Sequence, residues 1–149
     1  MRKYITVMIA VVGMMFIQAT PPELNRDGEI GMKFFEGSWE EALAQAKEED
    51  KLIFLDAYAS WCGPCKLLKR NVFTQETVGD LYNESFINYA MDMEKGQGPL
   101  VARQYRVTAY PTLLFVDGDG NVVKKAVGYH PTDHFLALGK EVLSTHNAE

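Results

Sequence analysis

Cysteine is almost missing from this 149-residue chain, which holds two, Cys62 and Cys65, in one four-residue stretch. A web of structural bridges like those that prop up small secreted domains is therefore excluded. No cysteine follows the apolar segment near the N-terminus, which excludes a lipid carried on a mature N-terminal cysteine. Basic residues are outnumbered, 15 against 20 acidic for a formal charge of −5, so the electrostatic footprint of a nucleic-acid binder is lacking. Internal repeats, low-complexity blocks and flavin or nicotinamide motifs are missing too, and no cofactor is expected. Histidine is scarce. His130 and His134 form an H-x3-H pair interrupted by Pro131, and with C-x2-C they would supply four ligands. The gap from Cys65 to His130 far exceeds the zinc-finger spacing of about 12–15 residues, so no metal site is expected.

One long apolar run is present. Met1-Arg2-Lys3 is followed by Tyr4 to Ile17, nearly all apolar, then Gln18-Ala19-Thr20 and Pro21-Pro22. A basic start, an apolar middle and a small residue before polar sequence describe a secretory signal peptide over residues 1–19, cut after Ala19. The run is short for a full membrane span of about 20 residues, so an uncleaved anchor is the weaker alternative. Removing Arg2 and Lys3 leaves 13 basic against 20 acidic residues and moves the charge to −7. The expectation is an exported protein, periplasmic or otherwise extracytoplasmic. Disulfides persist there, and a pair confined to one C-x2-C is better suited to use than to stapling.

The remainder is ordinary for one globular domain, with 47% hydrophobic and 23% charged residues. Residues 20–35 read as an N-terminal extension, with a polar lead-in up to Gly31 and a short edge strand at Met32–Phe35, and residues 36–149 as the domain. Ser38-Trp39-Glu40-Glu41 is a capping-box pattern that opens a helix with Trp39, Ala42, Leu43 and Ala46 on one face. Buried strands are expected at 52–56, 86–91 and 113–116, with helices after the cysteines, after Thr74 as cap, and over 100–105. Asp117-Gly118-Asp119-Gly120-Asn121 reads as a hairpin turn into a returning strand at 122–127, and a last helix starts at Thr132. The alternation implies parallel strands joined by helical crossovers plus one antiparallel pair. It predicts an α/β fold, a central mixed sheet flanked by helices on both faces.

The chemistry lies in Trp61-Cys62-Gly63-Pro64-Cys65-Lys66, directly after the strand. A thiol at a helix start loses its proton easily, because unpaired backbone N–H groups and the helix dipole favour negative charge there, and the thiolate is the reactive form. Cys65, one turn further on, can attack a mixed disulfide formed by Cys62. Gly63 lets the turn close, and Pro64 suits a first helical turn.

Asp56, Trp61-Cys62-Gly63-Pro64-Cys65-Lys66 and Tyr110-Pro111-Thr112, in this order and alternation, resemble the thioredoxin superfamily over about residues 36–145. The run from Ser38 to Trp61 looks similar to exported thioredoxin-like proteins and to the C-terminal domain of DsbD-type thiol:disulfide interchange proteins. The resemblance implies a thioredoxin fold and a redox disulfide between Cys62 and Cys65, with Cys62 as the exposed nucleophile and Cys65 as the resolving thiol. It implies that Asp56 is a buried acid that moves a proton to or from Cys65. It implies a cis peptide at Pro111, whose neighbouring backbone pairs with an extended substrate, and substrate-facing roles for Tyr110 and Trp61. Family members often keep a lysine near the acid on the next strand; here that strand reads Tyr89-Ala90-Met91-Asp92, with none.

The expectation is thus an exported thiol–disulfide oxidoreductase that reduces protein disulfides, fed with electrons by a membrane thiol reductase. The alternatives are an oxidase or isomerase in the same compartment, and a non-catalytic binding module on the same fold.

Overall fold

Leu52-Ile53-Phe54-Leu55 offers no polar face, and a strand apolar on both sides belongs inside a sheet covered on both sides. In the computed structural model, which describes residues 30–146 and 148, this strand, β1 (Leu52–Tyr58), lies inside a four-stranded sheet. β2 (Phe86–Asp92) pairs with it in parallel, with Asp56 opposite Ala90. β3 (Thr112–Val116) pairs with its other edge antiparallel, with Asp56 opposite Leu113, and β4 (Val122–Val127) closes the hairpin. The order is β2-β1-β3-β4.

Alternation along β1 feeds two cores. Ile53, Leu55 and Ala57 pack with Trp39, Ala42 and Ala46 of α1 (Trp39–Glu49) and Val101 of α4 (Gly98–Gln104). Leu52 and Phe54 face α2 (Gly63–Asn71), α3 (Glu76–Ser85) and α5 (Thr132–His146), meeting Leu68, Val78, Tyr82 and Phe135. Helices thus cover both faces of a mixed sheet, as expected. Among the described residues no helix is long and apolar enough to cross a membrane. The expected signal peptide and most of the lead-in fall outside the described residues.

Three local expectations differ. β3 runs against β1, although the alternation implied parallel strands before the hairpin. The seven residues of α4 span about 10 Å, too little to carry the chain back along a strand. β3 therefore starts at the end of the sheet where β2 stops. Met32–Phe35 is an extended strap and no ladder strand. Its Phe35 N–H reaches the Asn88 carbonyl, but the Met32 N–H goes to Phe73 and the Lys33 N–H to the Asn83 side chain. Thr74 caps nothing: its hydroxyl donates to the Arg70 carbonyl, and α3 starts after Gln75.

Candidate active site

The end of the sheet where β1 and β2 stop and β3 begins gathers the residues of interest. Cys62 is the N-cap of α2. Its sulfur accepts the backbone N–H of Cys65 at 3.2 Å, one of the N–H groups that a helix start leaves without a partner. Pro64 stands in the first turn, no acidic residue does, and Lys69 and Arg70 close the last turn. The basic last turn thus complements the helix dipole, the first turn leaves its positive end without an acidic side chain, and the charge favoured at Cys62 is negative. The two cysteines form a disulfide, with Cα atoms 5.3 Å apart. Cys62 is not exposed as expected: it is 2% exposed, against 5% for Cys65. In the disulfide both sulfurs pack with Ala59, under Tyr58 and Tyr110.

Asp56 sits two residues before the end of β1, on the face that Leu52 and Phe54 turn to α2. It is 5% exposed, and its Oδ1 has no hydrogen-bond partner among the described residues. It lines a cavity of about 460 Å³ shared with Cys65, Tyr58, Lys69, Phe34 and Phe73. Desolvation by burial pushes its pKa up to about 7, while the positive charge of Lys69 works to lower it. The acid can therefore hold or release a proton near neutrality, beside Cys65.

Trp61 is 66% exposed, so it is no core aromatic. Its indole N–H donates to Glu94 Oε2 at 2.9 Å, and its ring meets Tyr110 edge-on at 6.0 Å. Burial, then the charges of Glu94 and Asp92, raise the Tyr110 hydroxyl pKa. The Tyr110–Pro111 peptide is cis. His130 turns its Nδ1 to the Gly128 carbonyl, 3.0 Å away, and His134 is exposed.

The six residues singled out from the sequence thus meet at one end of the sheet, where Tyr110 packs on the sulfurs and on Trp61 and Asp56 shares a cavity with Cys65. Lys69, Phe34 and Glu94 were not foreseen. Lys69 carried a usable signal, since it lies four residues after Cys65 on the same helix and so on the same face. Phe34 and Glu94 reach the site from distant sequence, and no local pattern announces them.

Comparison with known proteins agrees with this arrangement. A family model described as a thioredoxin-like domain matches residues 39–143. Thioredoxin H-type 2 of Nicotiana tabacum is 32% identical over 111 residues, 74% of this chain and 88% of that one. The solution structure of a candidate disulphide-isomerase from Bacteroides thetaiotaomicron is similar with a TM-score of 0.68 and 45% identity, covering 76% of this chain and 94% of that one. The oxidised C-terminal domain of DsbD from Neisseria meningitidis shares the fold, with a TM-score of 0.60 at 23% identity over 74% of this chain and 97% of that one.

Proposed function

The chain belongs to the thioredoxin-like family and is a thiol–disulfide oxidoreductase; we propose that it is exported and reduces disulfides in other proteins. The observation that carries the mechanism is the Cys62 sulfur, seated as N-cap on α2 and bonded to Cys65. In the reduced protein, the Cys62 thiolate attacks one sulfur of a substrate disulfide. A mixed disulfide forms and the other substrate sulfur leaves as a thiolate that takes a proton from water. Cys65 then gives its proton to the Asp56 carboxylate and attacks the Cys62 sulfur. The second substrate sulfur leaves as a thiolate and takes the proton that Asp56 now holds, and two electrons have moved from the dithiol to the substrate. The 62–65 disulfide remains. With Cys62 so little exposed in that form, Tyr58 and Tyr110 must shift before an incoming thiolate reaches it. The backbone beside Pro111 offers an extended substrate segment a strand to pair with.

Export is supported by the apolar segment at residues 4–17. The reducing direction is supported by Gly63-Pro64 between the thiols, a spacer that resembles reducing members of the family. Electrons then come from a dithiol donor outside the chain, for which a membrane thiol reductase is our assignment. The likeness to a candidate disulphide-isomerase favours one second reading, isomerisation or oxidation by the same pair. The reduction potential separates the two, because about 30 mV changes the oxidised-to-reduced ratio tenfold.

Turnover of a protein disulfide with a dithiol donor tests the proposal. Cys62→Ser is expected to abolish it, and Cys65→Ser to trap a covalent complex visible on a non-reducing gel. Full turnover by Cys62→Ser contradicts the mechanism. A double Cys→Ser variant that keeps the biological role would instead show a binding module.

A further inference from the structure

The cavity behind the disulfide holds a carboxyl oxygen with no hydrogen-bond partner among the described residues. A buried carboxylate needs a positive charge or hydrogen-bond donors to ionise at neutral pH. Its strand neighbours give neither: Ala90 on β2 and Leu113 on β3 stand opposite it in register. The strap contributes Phe34 and the end of α2 leads to Phe73, both apolar. The titratable or charged groups around the cavity are Tyr58 on β1 and Cys65, Lys66 and Lys69 on α2. Ser60 also lines it, and Lys95 reaches the Ser60 hydroxyl at 3.2 Å, but the Lys95 ammonium is paired with Asp92 at 3.3 Å. Of the two lysines on α2, Lys69 follows Cys65 by four residues and so shares its helix face; Lys66 follows by one and points a quarter turn away.

We propose that Lys69 is the positioning residue for the proton-carrying acid: its ammonium, one helical turn beyond Cys65, supplies across the cavity the positive charge that neither neighbouring strand offers Asp56. The inference rests on the reading of Asp56 as the group that takes the Cys65 proton. Lys69 acts on it through space. Desolvation holds the Asp56 proton on, and Lys69 opposes it, so that part of the protein has an ionised Asp56 ready at neutral pH. Without Lys69 a smaller share of the acid is ionised at neutral pH, fewer molecules can accept the Cys65 proton, and the resolving step needs a higher pH. Because the lysine head is exposed, salt weakens the effect.

The test uses the oxidised protein, in which neither cysteine titrates. The Asp56 midpoint is read directly by carbon NMR of its carboxyl across pH 4–10. Lys69→Met is expected to raise the midpoint by about half to one pH unit, and Lys69→Arg to leave it near the wild-type value. Lys66→Met is expected not to move it. In the reduced protein, the pH profile of disulfide reduction should move upward with Lys69→Met by the same amount. A Lys69→Met midpoint equal to wild type, or a Lys66→Met shift just as large, overturns the assignment. Asp56→Asn tells the two readings apart. If that variant turns over at the wild-type rate at every pH, Asp56 is not the proton carrier, whatever the NMR midpoint says about Lys69.

Discussion

Ionising Asp56 is costly, because burial penalises the charged form and the described residues give its Oδ1 no donor. That cost has a consequence for stability. The folded protein binds the Asp56 proton more tightly than the unfolded chain, with a pKa raised from 3.8 to about 7. The protonated acid is therefore tolerated in full below pH about 4, and stability is lost as pH rises toward 7 and the folded state must either keep the proton or bury a charge. Three units amount to about 4 kcal/mol. Asp56→Asn of the oxidised protein is accordingly predicted to be more stable than wild type by up to about 4 kcal/mol at pH 8.5 and close to it at pH 4. Urea unfolding at the two pH values checks this; a gap that does not change with pH contradicts it. At this scale the cysteines and the acid were legible, because helix-start placement and apolar flanks act locally. The burial of Cys62 was not, since Ala59, Tyr58 and Tyr110 cover it only after β1 and β3 are brought together. The partner of Trp61 was hidden in the same way: Glu94 lies 33 residues away along the chain.

Among the elements, α1 follows most directly from its sequence. Ser38 Oγ accepts the Glu41 N–H at 3.1 Å, and the Glu41 carboxylate accepts the Ser38 N–H at 2.7 Å, which satisfies two N–H groups at the helix start. Ser38→Ala is predicted to lower stability by about 1 kcal/mol, read as a lower melting temperature, without changing the rate of disulfide exchange. A changed exchange rate at unchanged stability would mean that α1 does more than support the sheet. The hairpin was equally readable: Asp117 Oδ1 accepts the N–H groups of Asp119 and Asn121, the local bonding that favours Asp in turns. The direction of β3 was not readable from alternation alone. It is set by the shortness of α4, which the expected helix over 100–105 shared but which the order of strands and helices alone does not register. The strap at Met32–Phe35 read as a strand because its apolar residues fit one, but side-chain amides of Asn83 and Asn88 take the bonds that a ladder would have used.

At the scale of the whole molecule, that strap ties the start of the domain to the cavity. Phe34 packs on Phe73 with ring centroids 5.5 Å apart and forms one wall of the space around Asp56. Its docking depends on Gly31, which has φ +105° and lies so near the end of α2 that a Cβ there would come within 2.5 Å of the Phe73 carbonyl oxygen. Gly31→Ala is predicted to loosen the strap, to speed hydrogen exchange at the Met32, Lys33 and Phe35 N–H groups, and to lower the Asp56 midpoint as water enters. Unchanged exchange at all three would contradict that role. The same folding brings the C-terminal end of β1, the first turn of α2 and the start of β3 to one point, and so puts a sulfur where backbone N–H groups converge. The most direct test of that claim is the pH dependence of Cys62 alkylation in the reduced protein, with Cys65→Ser as background. The account predicts a midpoint at about pH 7 or below, as for thiols at helix starts. An ordinary midpoint near pH 8.5 would contradict it.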